Sequence, residues 1–333
     1  MRRRDFFTLA ACIAASATPL ARAQTLPVRR MAFVHSGIPT AQLTDASNVS
    51  WVRRFFAELR ELGYAESVNL TVERYSAEGR SERFASLATD IVARQPDLIV
   101  ANGNRLVRAL QKATGTIPIV AIIADPIGSG IVSNLARPGG NITGVSADAG
   151  IEIYGKRLQI LKEAVPAIEA ITYLGLSGDW QGQVGQAMRE AARSLQLETS
   201  SIALVEVTAA SLRAAFADIA SKPNNAVVVS GAGDFLAHRQ LIVDLVGNSV
   251  LSAMYPYRDY VEAGGLMTYA PELGDLARQL ARTALQILQG AKAGDLPIYQ
   301  ATKFELIINL KTAKALGVTV PPSLLARADE VIE

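Results

Sequence analysis

The sequence predicts an α/β fold: two doubly wound parallel-sheet lobes joined by a hinge. Short apolar segments alternate with amphipathic helical stretches along most of the chain. Ten or so such segments occur, which suits two sheets better than one. A glycine-rich stretch from Gly139-Gly140 to Gly150 interrupts the rhythm after the fifth. Short apolar strands separated by helices indicate right-handed βαβ units, whose strands are covered on both faces.

Met31 to His35 is an apolar run ending at Ser36-Gly37 and reads as the first strand. The helix after it carries Val52, Phe55, Phe56, Leu59 and Leu62 on one stripe, and Gly63 closes it. Leu70 to Tyr75 alternates as a strand, and Phe84, Leu87, Ala88, Ile91 and Val92 mark the next helix. Asp97 to Ala101 is a strand, Leu106 to Ala113 a helix and Ile117 to Ile123 a strand. Ile131 to Ala136 reads as a short helix and Ile142 to Ser146 as a strand.

The second half repeats the rhythm. Helices are expected at Tyr154 to Val165, Val184 to Leu195, Ser211 to Ala220 and Leu236 to Val246. Strands are expected between them at Ile171 to Leu176, Ser201 to Val207 and Ala226 to Ser230. Strand Val250 to Met254, helix Tyr257 to Ala263, strand Leu266 to Tyr269 and helix Leu276 to Leu288 follow. Strand Phe304 to Leu310 and a short helix at Ala313 to Leu316 end the chain. Gly264-Gly265 and the segment near Thr302 look like further crossings between lobes. Lobe one is therefore expected to hold residues 28–144 plus 270–300, and lobe two residues 145–265 plus 303–333. Facing lobes of this kind form a cleft at the carboxyl ends of their strands.

Residues 1–23 read as a signal segment rather than as fold. Arg2-Arg3-Arg4 is a positive start, Phe6 to Leu20 an apolar stretch, and Ala21-Arg22-Ala23 a cleavage site before Gln24. Arg3-Arg4-Asp5-Phe6-Phe7 has the look of a twin-arginine export signal. Leu9-Ala10-Ala11-Cys12 resembles a lipobox, but the apolar stretch runs past Cys12, so cleavage after Ala23 is expected over a lipid anchor. Removing the segment takes away Arg2, Arg3, Arg4, Arg22 and Asp5, turning the formal charge of +2 into −1. Cys12 is the one cysteine, so the processed chain has none, which suits an oxidising compartment such as the periplasm. No later segment reaches about 18 uninterrupted apolar residues.

Half the residues are hydrophobic and 19% are charged, which excludes a disordered chain. One cysteine and two histidines, His35 and His238, exclude a disulfide scaffold and leave too few ligands for a zinc cage. A charge near zero argues against a nucleic-acid binder. No G-x-S-x-G, P-loop or H-E-x-x-H occurs, and Gly231-Ala232-Gly233 lacks the third glycine of a dinucleotide fingerprint. No cofactor or metal is expected, and a binder is expected over an enzyme.

Four segments carry a resemblance that spans essentially the whole chain. They are RRRDFFTLAA at the start, RPGGNITGVS at Arg137 to Ser146, EAGGLMTYA at Glu262 to Ala270, and the long Thr302 to Glu333 tail. Through them the chain resembles the ABC transporter substrate-binding protein family, the branch that includes tryptophan- and tyrosine-binding lipoproteins. The resemblance implies a type I periplasmic binding-protein fold, with two lobes joined by three strands. It also implies a small-molecule ligand, with a membrane permease and its ATPase as partners. A monomer is expected. The chain departs from the lipoprotein members in lacking a well-placed lipobox.

Loops just after strand ends are the candidate ligand contacts. In lobe one these are Ser36, Gly37, Asn102, Gly103, Asn104, Asp125 and Pro126. In lobe two they are Ser177, Asp179, Trp180, Gly231, Asp234, Tyr255 and Tyr257. An amino-acid-like ligand would place its carboxylate at the helix start after Asn102-Gly103-Asn104 and its ammonium on Asp234, with Trp180, Tyr255 and Tyr257 around an apolar side chain. Asp234 could instead cap the helix that follows it. The competing function is an exported enzyme on the same scaffold, with Asp234 or Asp179 as acid or base. A ligand-sensing domain of a transcription regulator is disfavoured by the export signal and the lack of a helix-turn-helix segment.

Overall fold

The structure, a computed structural model, describes residues 28–147, 150–221 and 225–333. The expected signal segment 1–23, its cleavage point before Gln24 and Cys12 lie outside the described residues. Strands in chain order are β1 (Arg29–His35), β2 (Leu70–Ser76), β3 (Leu98–Asn102), β4 (Ile119–Ile123), β5 (Ile142–Ser146), β6 (Ala170–Leu176) and β7 (Glu198–Leu204). They continue as β8 (Asn225–Val229), β9 (Ser252–Tyr255), β10 (Met267–Pro271), β11 (Tyr299–Gln300), β12 (Phe304–Asn309) and β13 (Glu330–Ile332).

The strands form two sheets. A six-stranded sheet runs β11-β5-β4-β3-β1-β2, and a seven-stranded one runs β13-β12-β10-β9-β8-β6-β7. Every pairing in the first is parallel, and in the second only β10 and β12 run antiparallel. The chain passes between lobes after β5, after β10 and between β11 and β12. Helix Leu273–Leu288 follows β10 of the second sheet yet packs on β3, β4, β5 and helix Ser50–Glu61 of the first lobe.

Fully buried central strands explain their apolar runs. All five residues of β4 and of β8 are buried. The helix Ser50–Glu61 turns Trp51, Val52, Phe55, Phe56 and Leu59 inward, and the Phe55 ring stacks on Phe33 of β1 at 5.2 Å. Within RPGGNITGVS, Gly144 has φ 142° inside β5, and a Cβ there would collide with the Ala121 backbone of β4. Only glycine lets the two strands approach so closely.

The structure differs from the sequence reading in several places. Ile131 to Ala136 is not helical: the Ile131 and Val132 amides bond to the Pro126 carbonyl, and Asn134 Oδ1 takes the amides of Ala136 and Arg137 at 2.8 and 3.0 Å. The asparagine side chain thus replaces helical partners, just before Pro138. Strand β7 begins three residues earlier than its apolar run, because its polar start at Glu198 pairs with Ala170 at the sheet edge. The helix expected over Leu236 to Val246 is broken at His238 into Gly233–Ala237 and Arg239–Asn248. The tail adds helix Pro322–Leu325 and β13, and β11 is a further short strand. Among the described residues no helix is long and apolar enough to cross a membrane.

Candidate ligand-binding cleft

The carboxyl ends of the strands of both sheets face one another across a cavity of about 660 Å³. Lobe one contributes Ser36 after β1, the Asn102–Leu106 turn after β3, Ala124 and Asp125 after β4, and Phe84. Lobe two contributes Ser177 to Asp179 after β6, Gln183, Ser230 to Asp234 after β8, and Tyr257 after β9. Ala147 and Tyr154, at the first crossing, complete the wall.

The lobes touch along the cavity's edge. A Cβ on Gly37 would stand 3.1 Å from Asp234 Cα, and one on Gly233 would stand 2.5 Å from Asn102 Oδ1 and 3.2 Å from Ser36 Oγ. Further out, a Cβ on Gly79 would stand 3.3 Å from the Val207 carbonyl oxygen. Gly79 follows β2 and Val207 follows β7, the outer edge strands of their sheets, so the lobes are closed from hinge to tip.

At this junction several buried polar atoms lack a protein partner: His35 Nε2, Ser36 Oγ, Asn102 Oδ1 and Asp234 Oδ1. His35 Nδ1 accepts the amides of Gly37 and Ile38 at 2.9 and 2.8 Å, so its proton sits on Nε2. Burial pushes the His35 pKa down to about 3 and keeps the ring neutral. Asp234 is in the first turn of helix Gly233–Ala237, whose N-cap is Ala232 without a side-chain cap. Its carboxylate therefore does not cap that helix. Burial pushes its pKa up, while the nearby Ser36 hydroxyl, Arg105 and His238 pull it partly back.

Other sequence-predicted residues do local work. Asn104 donates to the Ala124 carbonyl at 2.6 Å and accepts its amide at 2.9 Å, locking the turns after β3 and β4 together. Gly103, at φ 99°, starts helix Asn104–Ala113 with its backbone beside Ser36. Asp125 accepts the Gly128 amide at 2.9 Å in a turn, at φ 40°. Asp179 Oδ2 receives Tyr173 Oη, the Leu176 amide and Ser230 Oγ at 3.0, 3.2 and 3.1 Å. Burial raises the Asp179 pKa and these donors oppose the rise. Gly231 accepts the Tyr257 hydroxyl at 2.7 Å, and both line the cavity together with Ser177.

Four expected contacts fall outside the cavity wall. Gly37 serves the lobe junction, and Pro126 holds the following turn through its carbonyl. Trp180 stacks on Tyr173 at 6.2 Å beneath Arg189, and Tyr255, 1% exposed, stacks on Tyr260 at 5.2 Å. The aromatic wall is instead Phe84, Tyr154 and Tyr257. The sequence reading missed Phe84, Tyr154, Arg105 and Gln183. Arg105 directly follows Asn104, its guanidinium 5.6 Å from the Phe84 ring centre, and its position one residue past the loop was the available signal. Among the described residues no group of His, Cys, Asp or Glu side chains could hold a metal.

The fold agrees with known proteins. A family model described as ABC transporter substrate binding protein matches residues 42–332. The tyrosine-binding protein of Clostridioides difficile (strain R20291) is 24% identical over 283 residues, covering 84% of this chain and 80% of that protein. An ABC domain from Streptococcus pneumonia, solved in complex with L-Trp, superposes with TM-score 0.78 at 24% identity, over 92% of this chain and 100% of that one. A conserved domain protein from Vibrio cholerae gives TM-score 0.80 at 23% identity, over 91% and 99% of the two chains. The architecture is that of type I periplasmic binding proteins. With its family model covering nearly all of the folded chain, this protein belongs to the ABC transporter substrate-binding protein family.

Proposed function

We propose that the protein is the exported receptor of an ABC importer. It binds a small metabolite of amino-acid or aromatic type between its lobes and hands it unchanged to a permease with its ATPase. One observation carries this reading. Unpartnered buried oxygens from both lobes, Asn102 Oδ1 from one and Asp234 Oδ1 from the other, belong to residues that line the cavity where the lobes meet, beside Ser36. Buried polar atoms ordinarily have partners, and an ammonium group brings three N–H donors and the charge Asp234 calls for.

The rest of the cavity complements such a ligand. The start of helix Asn104–Ala113 and the Arg105 guanidinium favour a carboxylate, and Phe84, Tyr154 and Tyr257 offer an apolar wall. Relatives named for tyrosine and crystallised with L-Trp support the same class. An enzyme built on Asp179 has less support, because three donors already fill Asp179 Oδ2 and His35 is held neutral. The charged start, apolar stretch and Ala-x-Ala site of residues 1–23 support export and cleavage before Gln24.

Calorimetry with L-tryptophan and L-tyrosine, followed by mass spectrometry of the recovered probe, tests the receptor. Saturable binding of an unchanged amino acid is the expected result. Chemical conversion of the probe would replace the receptor with an enzyme. Intact mass of protein from the periplasm tests export: a retained segment 1–23, or a diacylglyceryl adduct on Cys12, would contradict it.

A further inference from the structure

Helix Glu152–Ala164 carries an arginine, Arg157, that is buried and is not part of the cavity wall. Arg157 is 2% exposed. Its Nε donates to the Tyr269 carbonyl at 2.8 Å and its Nη2 to the Pro256 carbonyl at 3.2 Å. Its guanidinium carbon lies 5.5 Å from the centre of the Tyr154 ring, one helical turn back. Both hydrogen bonds go to backbone carbonyls on other elements, an expensive way to bury a cation unless the geometry itself is needed.

Each contact leads to a part of the cleft. Tyr154 lines the cavity directly. Pro256 precedes Tyr257, which lines it too and whose hydroxyl fixes the Gly231 carbonyl at 2.7 Å. Tyr269 lies in β10, the strand from which the chain crosses to helix Leu273–Leu288 in lobe one. A planar guanidinium can reach two carbonyls on different segments while stacking on a ring; a lysine ammonium has neither the fork nor the flat face.

We propose that Arg157 is a positioning residue for the ligand cleft. It holds Tyr154 and Tyr257 as one aromatic wall and sets that wall in register with the crossing strand β10. The proposal rests on the receptor reading only for its effect on affinity; the positioning itself is a property of the protein without ligand.

Hydrogen exchange on the ligand-free protein reads the positioning directly. Arg157→Lys should speed amide exchange tenfold or more in segments 229–233 and 255–258, with helices Ser50–Glu61 and Leu273–Leu288 unchanged. A rise spread evenly over lobe two, or none in those segments, would overturn the proposal and leave Arg157 as core filling. Tyr257→Phe cuts the far end of the same chain of contacts and remains informative if Arg157→Lys does not fold. It should loosen segment 229–233 alone, and no change there would equally overturn the proposal. Calorimetry with L-tryptophan and L-tyrosine then reads the effect on affinity in a double-mutant cycle. Arg157→Lys and Tyr257→Phe should each weaken binding about tenfold, and the double variant should be no weaker than the worse single one. Additive losses would overturn the coupling. Failure of wild type to bind either probe, with the exchange pattern as expected, would count against the amino-acid reading and not against Arg157.

Discussion

Asp259 of lobe two caps the first long helix of lobe one. Its Oδ1 accepts the Ser50 amide at 3.2 Å, and the Ser50 hydroxyl reaches both carboxylate oxygens at 3.2 and 3.1 Å. The helix's own N-cap residue, Val49, has no side-chain acceptor to offer. Closing the lobes therefore satisfies a helix end that lobe one leaves bare. A cap of this kind is worth about 1 kcal/mol, or roughly a fivefold change in an equilibrium. Asp259→Ala should shift the lobe equilibrium toward the open form, so that ligand compacts the protein less in small-angle scattering and binds about fivefold more weakly. Asp259→Asn keeps an acceptor and should stay near wild type. Unchanged compaction and affinity in Asp259→Ala would show that the contact persists in the open form.

Asp234 separates a charge partner from a merely structural residue. Its side chain caps no helix and burial disfavours its charge, so Asp234→Asn should hold or raise the melting temperature of the ligand-free protein at neutral pH. Affinity for an amine-bearing ligand should fall by about 2 kcal/mol or more, roughly thirtyfold, because a buried ammonium would lose its counter-charge. Calorimetry showing equal affinity in the variant would remove the ammonium from Asp234.

Gly233 is where a methyl group should act as a wedge. Its φ is not in the left-handed region, so alanine fits the backbone. The added Cβ would stand 2.5 Å from Asn102 Oδ1 and 3.1 Å from His35 Cε1 across the junction. Gly233→Ala should fold normally yet fail to close, with ligand-induced compaction lost in scattering. Gly37→Ala, whose Cβ would meet Asp234 Cα at 3.1 Å and Ala237 Cβ at 3.2 Å, should do the same more weakly. Full compaction in both variants would contradict the closed junction.

His35 gives the fold an acid-sensitive point. Unfolded, it takes a proton near its ordinary pKa of 6.5; folded, burial delays protonation to about 3. Below pH 6.5 the unfolded state binds more protons, so stability falls as pH falls, by up to about 1.4 kcal/mol per unit until the folded pKa is reached. His238, half-buried and shifted the same way, adds a smaller share. Asp179 and Asp234, raised by burial, act with the opposite sign and offset part of the loss at the acid end. Urea unfolding at pH 7 and pH 5 should show the drop. His35→Asn, which keeps an acceptor for the Gly37 and Ile38 amides, should flatten it. An unchanged slope in the variant would place the acid sensitivity elsewhere.

The strand–helix rhythm was legible because central strands such as β4 and β8 are buried on both faces and leave continuous apolar runs. The cleft was legible for the same geometric reason: polar and glycine residues at or just past the ends of buried strands, such as Asn102 and Gly103 at the end of β3 and Gly231 after β8, lie at the facing strand tips. Aromatic roles were not. Tyr255 and Tyr257 are two residues apart, yet one stacks in the core and the other lines the cavity. Phe84 and Tyr154 belong to apolar helix stripes and are 6% and 4% exposed, so nothing in their spacing marks a second role as cavity wall. Arg157 is hidden for a related reason: an arginine on a helix reads as solvated surface until the carbonyls it serves come from other elements.

Native mass spectrometry of the protein purified from the periplasm reaches the central claim most directly, measured before and after a mild denaturing step and repeated on Gly233→Ala. The expected result is a one-to-one complex with a small amine-bearing molecule, released chemically unchanged and lost in the variant that cannot close. A complex that survives Gly233→Ala undiminished, or a ligand that emerges as a product of itself, would contradict a receptor that holds its solute between two closing lobes.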